Sequence, residues 1–222
     1  MTDRAIRVIK VGGSVLTSPR AYRRVAQHVA ARLIEAPGER LAVVVSAELG
    51  VTDALLQTAK DFSPDPDPAT VDLLWSTGEL KSVALLALAL QALGVRATTA
   101  NVHQLGLSHD LTSSASSMLR LRAALAQSEV VVIPGFLARG HGDAIVSLGR
   151  GGSDLTAVFL AAQLRAAECE LVQPRALEVA RQFHVNILIR ALDDERRTIV
   201  TASEKGHVNG VRDTHDTCGA AV

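Results

Sequence analysis

Residues 5–14 read AIRVIKVGGS, a run rich in β-branched residues that breaks off into two glycines. Such a pattern predicts a buried strand entering a glycine turn. Ser18-Pro19 then supplies an N-cap and a proline at the first helical position, for a helix running toward Glu35. After the loop APGER, residues 41–45 (LAVVV) repeat the buried-strand pattern, and residues 52–60 follow the turn at Gly50 as a second helix. This alternation of strand, loop and helix predicts an α/β domain around a mostly parallel central sheet.

Residues 62–70 (FSPDPDPAT) carry three of the seven prolines and are expected to be an exposed lid or connecting loop, neither helix nor central strand. Ser76-Thr77-Gly78-Glu79 is expected to open an apolar helix over residues 78–93, closed by Gly94, with a strand at 95–100. A helix over 115–127 leads to a strand at 130–133, and the turn-rich residues 134–149 suggest a hairpin. Ser153 is placed to cap an apolar helix reaching Ala167. A helix near 174–183 and strands near 185–189 and 198–201 complete a single domain over residues 1–201. The polar, unpatterned residues 202–222 are expected to be a disordered tail.

Bulk composition narrows the function classes. Hydrophobic residues make up 48% and charged residues 21% of 222, which fits a globular domain. Lys plus Arg and Asp plus Glu each number 23, so no global field draws the chain to nucleic acid or an anionic membrane. Any anion must be bound locally. Cys169 and Cys218 lack metal-ligand spacing, and the N-terminus lacks the pattern of a secretion signal, so a reducing cytoplasm is the expected setting. The apolar run over 83–93 is shorter than the roughly 20 residues needed to span a bilayer and is expected to be a buried helix.

Three clusters have the makings of a site. Lys10-Val11-Gly12-Gly13-Ser14 combines glycines that let backbone approach phosphate oxygens with a lysine for the moving charge; a plain strand-ending turn has the same look. Gly149-Arg150-Gly151-Gly152-Ser153-Asp154 puts glycines and an arginine before a helix, an arrangement suited to anions, although Ser153 and Asp154 also suit simple capping. Glu79 carries a carboxylate near an expected helix start, where the helix dipole alone explains part of its presence. Ser46, Thr52 and Phe136 gain meaning only in combination, at the carboxyl ends of strands where α/β sheets gather ligands. His103 and His109 are expected to be loop residues, Trp75 to pack beneath the helix that carries Glu79, and the tail residues His207, Asp213, His215, Asp216 and Cys218 match no zinc pattern, so no metal site is expected.

The segments VIKVGGSVL, VVVSAELGVTDALL, WSTGELKS, VVIPGFLA and SLGRGGSDLTAVFLAAQL occur in the order and approximate spacing found in aspartokinases, and over residues 6–170 the chain resembles that branch of the amino-acid kinase family. The resemblance implies a three-layer α/β/α fold and transfer of the ATP γ-phosphoryl group, with Mg²⁺, to the β-carboxylate of aspartate. It implies that Lys10 stabilises the transferring group, that Asp154 orients Lys10, and that Gly12, Gly13 and Gly152 line the phosphates. Ser46, Thr52, Glu79, Phe136, Arg150 and Ser153 match the family's amino-acid pocket, with Glu79 on the substrate ammonium and Arg150 on its α-carboxylate.

After Cys169-Glu170-Leu171 the pattern departs. A family member continues into a T-D-V-D-G-x-Y-type stretch, whereas this chain passes to QPRALEVARQFHVNILIR, which is similar to a later helix and strand of the family. The expectation is an internal deletion near residues 172–173 that removes much of the nucleotide wall, with a second copy or a partner chain covering the exposed edge. No paired ACT domains follow, so feedback inhibition by lysine or threonine is not expected. Two functions fit: a phosphotransferase acting on aspartate or a close analogue, or a non-catalytic binding or regulatory subunit that keeps the amino-acid pocket without ATP.

Overall fold

A computed structural model describes residues 5–110, 114–149, 151–166, 168–171, 187–190, 197–200 and 212–213. The helix expected near 174–183 lies outside them, as does all of the expected tail except Arg212–Asp213.

The N-terminal β-branched run forms β1 (Ile6–Val11), followed by α1 (Pro19–Glu35), β2 (Arg40–Val45), α2 (Val51–Phe62) and α3 (Pro68–Ala92). Next come β3 (Ala97–Thr99), α4 (Val102–Leu105), α5 (Ala115–Gln127) and β4 (Val130–Pro134), then a hairpin of β5 (Leu137–Arg139) and β6 (Ile145–Ser147). α6 (Gly152–Leu164) leads to β7 (Cys169–Leu171), β8 (Ile187–Arg190), β9 (Arg197–Val200) and β10 (Arg212–Asp213). The main sheet has the order β10-β9-β8-β7-β1-β2-β4-β3. Neighbours from β8 to β3 run parallel, and β9 and β10 are added antiparallel at one edge.

Side-chain alternation divides the core in two, because successive residues of a strand face opposite sides of the sheet. Ile9 and Val11 of β1, with Leu41, Val43 and Val45 of β2, pack on Tyr22, Val25 and Val29 of α1 and on Val83, Leu86 and Leu90 of α3. Ile6 and Val8, with Ala42 and Val44, pack on the other side against Leu121 and Leu125 of α5 and Val158, Phe159 and Leu160 of α6. The result is the three-layer α/β/α arrangement. Burial on both faces is why β2 reads as an unbroken apolar run.

Two expectations about helix starts are corrected. Residues 68–70 are helical: α3 begins at Pro68, with Asp67 as N-cap accepting from the Thr70 N–H at 2.8 Å. An Asp cap followed by proline at the first helical position starts a helix as well as proline breaks one. Ser76 to Glu79 therefore lie inside α3, and a dipole explanation for Glu79 no longer applies. In α6 the cap is Gly151 and Ser153 sits within the first turn, so Ser153 is not the capping residue; the helix ends at Leu164, short of Ala167. His103 belongs to the short helix α4, which the sequence pattern did not reveal.

The longer α3 is, by length and composition, also long enough to cross a membrane. Its buried side, with Ser76, Glu79 and Ser82 among its apolar residues, packs on the sheet and α1, as a core helix does.

Candidate functional site

β1 and β2 end level with each other, Lys10 beside Val44 and Val11 beside Val45. The Ser46 N–H donates to the Val11 carbonyl at 3.1 Å, so the two strands release their loops at one point. Alternation along β1 directs Lys10 to the face that α6 covers. There its ammonium, 4% exposed, lies 2.7 Å from Asp154 Oδ1 in the first turn of α6. The N-terminal end of α6 thus abuts the end of β1 and brings the positive end of a helix dipole beside a lysine.

Glu79 approaches from the other side of the sheet end. It is 3% exposed, and its carboxyl is pushed up to about 8, first by burial, with the Ala47 backbone N–H and the nearby Lys10 charge acting in the opposite direction. Its Oε2 atom is buried with no hydrogen-bond partner among the described residues. A cation arriving there would find an acceptor waiting and would favour ionisation.

Ser46, Thr52, Phe136 and Ser153 join these two halves. Thr52 lies in the first turn of α2, and its carbonyl accepts from Trp75 Nε1 at 3.1 Å. The Trp75 ring meets Phe136 edge-on, with centroids 5.8 Å apart. Phe136 lies two residues past the end of β4 with φ +67°, and the Leu137 N–H donates back across it to the Gly135 carbonyl at 2.8 Å. A three-residue turn with positive φ at a bulky residue is rare and strained, and such strain gathers at functional positions. Close approach explains two glycines here. A Cβ on Gly152 would lie 3.1 Å from Phe136 Cα, and one on Gly135 would lie 2.6 Å from Ser153 Cβ.

Gly12 and Gly13 form the turn after β1, where the Val15 N–H bonds to the Gly12 carbonyl at 3.0 Å and the Leu16 N–H to that of Gly13 at 3.1 Å. The structure therefore brings together Lys10, Gly12, Gly13, Ser46, Thr52, Glu79, Phe136, Gly152, Ser153 and Asp154. Arg150 lies outside the described residues, as do His207, His215, Asp216 and Cys218. Among the described residues no group of three or more His, Cys, Asp or Glu is placed to hold a metal ion.

Some members of the site were missed in the sequence. Tyr22 on α1 and Ser82 on α3 share a hydrogen bond of 2.9 Å beneath Glu79, and burial pushes the Tyr22 hydroxyl up to about 12. Ser82 lies three residues beyond Glu79 on the same helix face, a signal that becomes visible once α3 is known to start at Pro68. The Ala47 amide and the closeness of Gly135 to Ser153 are backbone relationships without a residue-type signature.

Residues 5–173 match the model of the amino acid kinase family. Similar proteins include the aspartokinase of Thermus thermophilus, 42% identical over 172 residues, which cover 75% of this chain and 42% of that protein. Another is the aspartokinase of Geobacillus stearothermophilus, 38% identical over 194 residues, 80% of this chain and 47% of that protein. The chain thus spans less than half the length of either relative. Among solved structures, the aspartate kinase of Synechocystis superposes with a TM-score of 0.75 at 30% identity, covering 90% of this chain and 40% of that one. The E. coli aspartokinase III complex with aspartate and ADP shares the fold, with a TM-score of 0.68 at 20% identity over 85% of this chain and 62% of that one.

Proposed function

This chain belongs to the amino acid kinase family, and from that premise we propose that it is an aspartokinase-like phosphotransferase, moving the γ-phosphoryl group of ATP·Mg²⁺ onto a carboxylate of aspartate or a close amino-acid analogue. The observation that carries the proposal is the buried Lys10–Asp154 pair at 2.7 Å, with the carboxyl of Glu79 close enough to feel the Lys10 charge.

Phosphoryl transfer asks a protein mainly for positioning and for neutralisation of charge that spreads over the transferring oxygens. In this proposal Lys10 supplies that charge, and Asp154 fixes where its ammonium sits. Gly12, Gly13 and Gly152 line the phosphates, next to the dipole of α6. Glu79 receives the substrate ammonium and Arg150 its α-carboxylate, while Ser46, Thr52, Phe136 and Ser153 shape the pocket between them. Mg²⁺ bound to the nucleotide phosphates would supply further neutralisation of charge there. Nothing among the described residues favours a purely binding role, since both Lys10 and Asp154 are in place. The setting proposed is cytoplasmic, with a second copy or a partner chain as the proposed partner, although the sheet edge expected to be bare after residue 171 is occupied by β8, which pairs with β7.

Calorimetry with aspartate tests the pocket. Aspartate is expected to bind with proton release at neutral pH, seen as a binding heat that changes with buffer, because a carboxyl raised to about 8 must ionise to pair with an ammonium. Glu79→Gln is expected to weaken binding by roughly tenfold to a hundredfold and to abolish the proton release. Aspartate binding that is equally tight in Glu79→Gln would overturn the assignment of the ammonium to Glu79.

A further inference from the structure

We propose that Trp75 is a positioning residue for the amino-acid substrate: its indole holds Thr52 by a hydrogen bond and Phe136 by an edge-on ring contact, and so fixes where two walls of the pocket stand. The inference deepens the phosphotransferase reading and rests on it for the placing of Thr52 and Phe136 beside the substrate. It gives a duty beyond packing to the only tryptophan of the chain.

Both walls lack a local hold. α2 carries Thr52 in its first turn, yet none of its 12 residues is buried, and its N-cap, Gly50, offers no side-chain hydrogen bond. A short helix with neither a side-chain cap nor a buried face takes its position from outside contacts. The Thr52 carbonyl accepts from Trp75 Nε1 at 3.1 Å. Close by, a Cβ on Gly78 would lie 3.0 Å from Val51 Cγ1 and 3.5 Å from Leu55 Cδ1, so the start of α2 rests directly on α3. Phe136 has φ +67°, a conformation that persists at a bulky residue only where its surroundings fix it. The Trp75 ring supplies one side of that hold, at a centroid distance of 5.8 Å and an interplanar angle of 64°. Gly152 supplies the other, since a Cβ there would lie 3.1 Å from Phe136 Cδ2.

The position of Trp75 along α3 ties this brace to the rest of the site. Val71, Trp75 and Glu79 follow at steps of four and share one face of the helix. One turn of α3 thus carries both the carboxylate proposed for the substrate ammonium and the indole that spaces the walls. Trp75, Thr52 and Phe136 each keep part of their surface open, whereas Leu86 and Leu90 of the same helix are fully buried. Three partly open groups in contact line an opening and do not merely fill a core. Lys10 and Asp154 meet at the α6 side of the sheet, away from the bond to Thr52, so loss of that bond acts on binding and not on transfer.

Because the chain has a single tryptophan, growth of a tryptophan auxotroph on benzothienylalanine replaces the indole N–H by sulfur at residue 75 alone and keeps the fused ring. In that protein KM for aspartate is expected to rise by roughly fivefold to tenfold with kcat nearly unchanged, since the hold that is lost amounts to about one hydrogen bond. In a Thr52→Val background the same replacement is expected to change KM little, because the indole acts through Thr52. A readout without substrate is the carbonyl-carbon NMR resonance of Thr52 in the ligand-free protein, which is expected to move when the indole donor is removed. If the sulfur protein does not fold, Trp75→Phe takes its place, with the same outcomes.

An unchanged KM for aspartate in the sulfur protein would overturn the proposal, as would a rise that is equally large in the Thr52→Val background. So would a Thr52 carbonyl resonance that stays where it is. Wild-type protein that binds and phosphorylates none of the candidate acids would be a failure of the phosphotransferase reading instead, and the Thr52 resonance would still decide whether the indole holds that wall.

Discussion

The Lys10 ammonium and the Asp154 carboxylate lie 2.7 Å apart, with side chains only 5% and 11% exposed, at the meeting point of β1 and α6. Removing one partner of such a pair strands the other charge away from water. Lys10→Met and Asp154→Asn are each expected to destabilise the fold, by up to about 3–5 kcal/mol for full burial. The double variant is expected to recover part of that loss. Urea unfolding of all four proteins checks the cycle, and additive losses would show that the two charges do not depend on each other.

Glu79 makes stability depend on pH in a direction opposite to that of a salt-bridged carboxylate. Its folded-state value, about 8, lies above the ordinary 4.5, so between these values the folded chain holds a proton that the unfolded chain has lost. The stability this contributes is present below pH 4.5 and is lost as pH rises through 8. Wild type is therefore expected to lose stability relative to Glu79→Gln between pH 5 and pH 8. Parallel stability profiles of the two proteins in denaturant melts would contradict the burial of an ionisable group at this position.

Phe136 holds φ +67° while its ring contacts Trp75. Phe136→Ala removes the ring and keeps the strain, whereas Phe136→Gly removes both. The glycine variant is expected to be the more stable of the two by about 1–2 kcal/mol, reversing the usual preference for alanine. A thermal melt that ranks alanine above glycine would show that the turn is not strained.

The two faces of α3 give a stability contrast within one helix. Leu90 is fully buried between the sheet and α1, whereas Leu88 is 61% exposed. Leu90→Ala is expected to cost about 2–5 kcal/mol and Leu88→Ala less than about 0.5. Equal losses in urea melts would mean that Leu88 is covered, for instance by a second copy of the chain.

Much of this arrangement was legible in the chain itself. Valine-rich runs at 41–45 and 130–133 are buried on both faces and so carry no competing signal, and Ser18-Pro19 names its own helix start. The start of α3 was lost because the DPDP tract contains both a breaker and a cap, and only packing decides which proline opens the helix. Lys10 and Asp154 could be paired in advance only through the resemblance to aspartokinases, since strand and helix patterns by themselves leave Asp154 as a capping residue or a partner for some cation. The seat of Glu79 could not, because its burial depends on its lying inside α3, whose start at Pro68 the pattern did not reveal. Arg150 rests on the sequence resemblance alone.

The central claim is that this site transfers phosphate to a carboxylate, and the most direct measurement is trapping of the acyl phosphate with hydroxylamine. Wild-type protein with ATP·Mg²⁺ and aspartate or a close analogue is expected to yield the hydroxamate, and Lys10→Ala, where it remains folded, to yield none, because its charge acts chiefly on the transition state. Wild-type protein that forms no hydroxamate with any of these acids, alone or with a partner chain, would contradict the account.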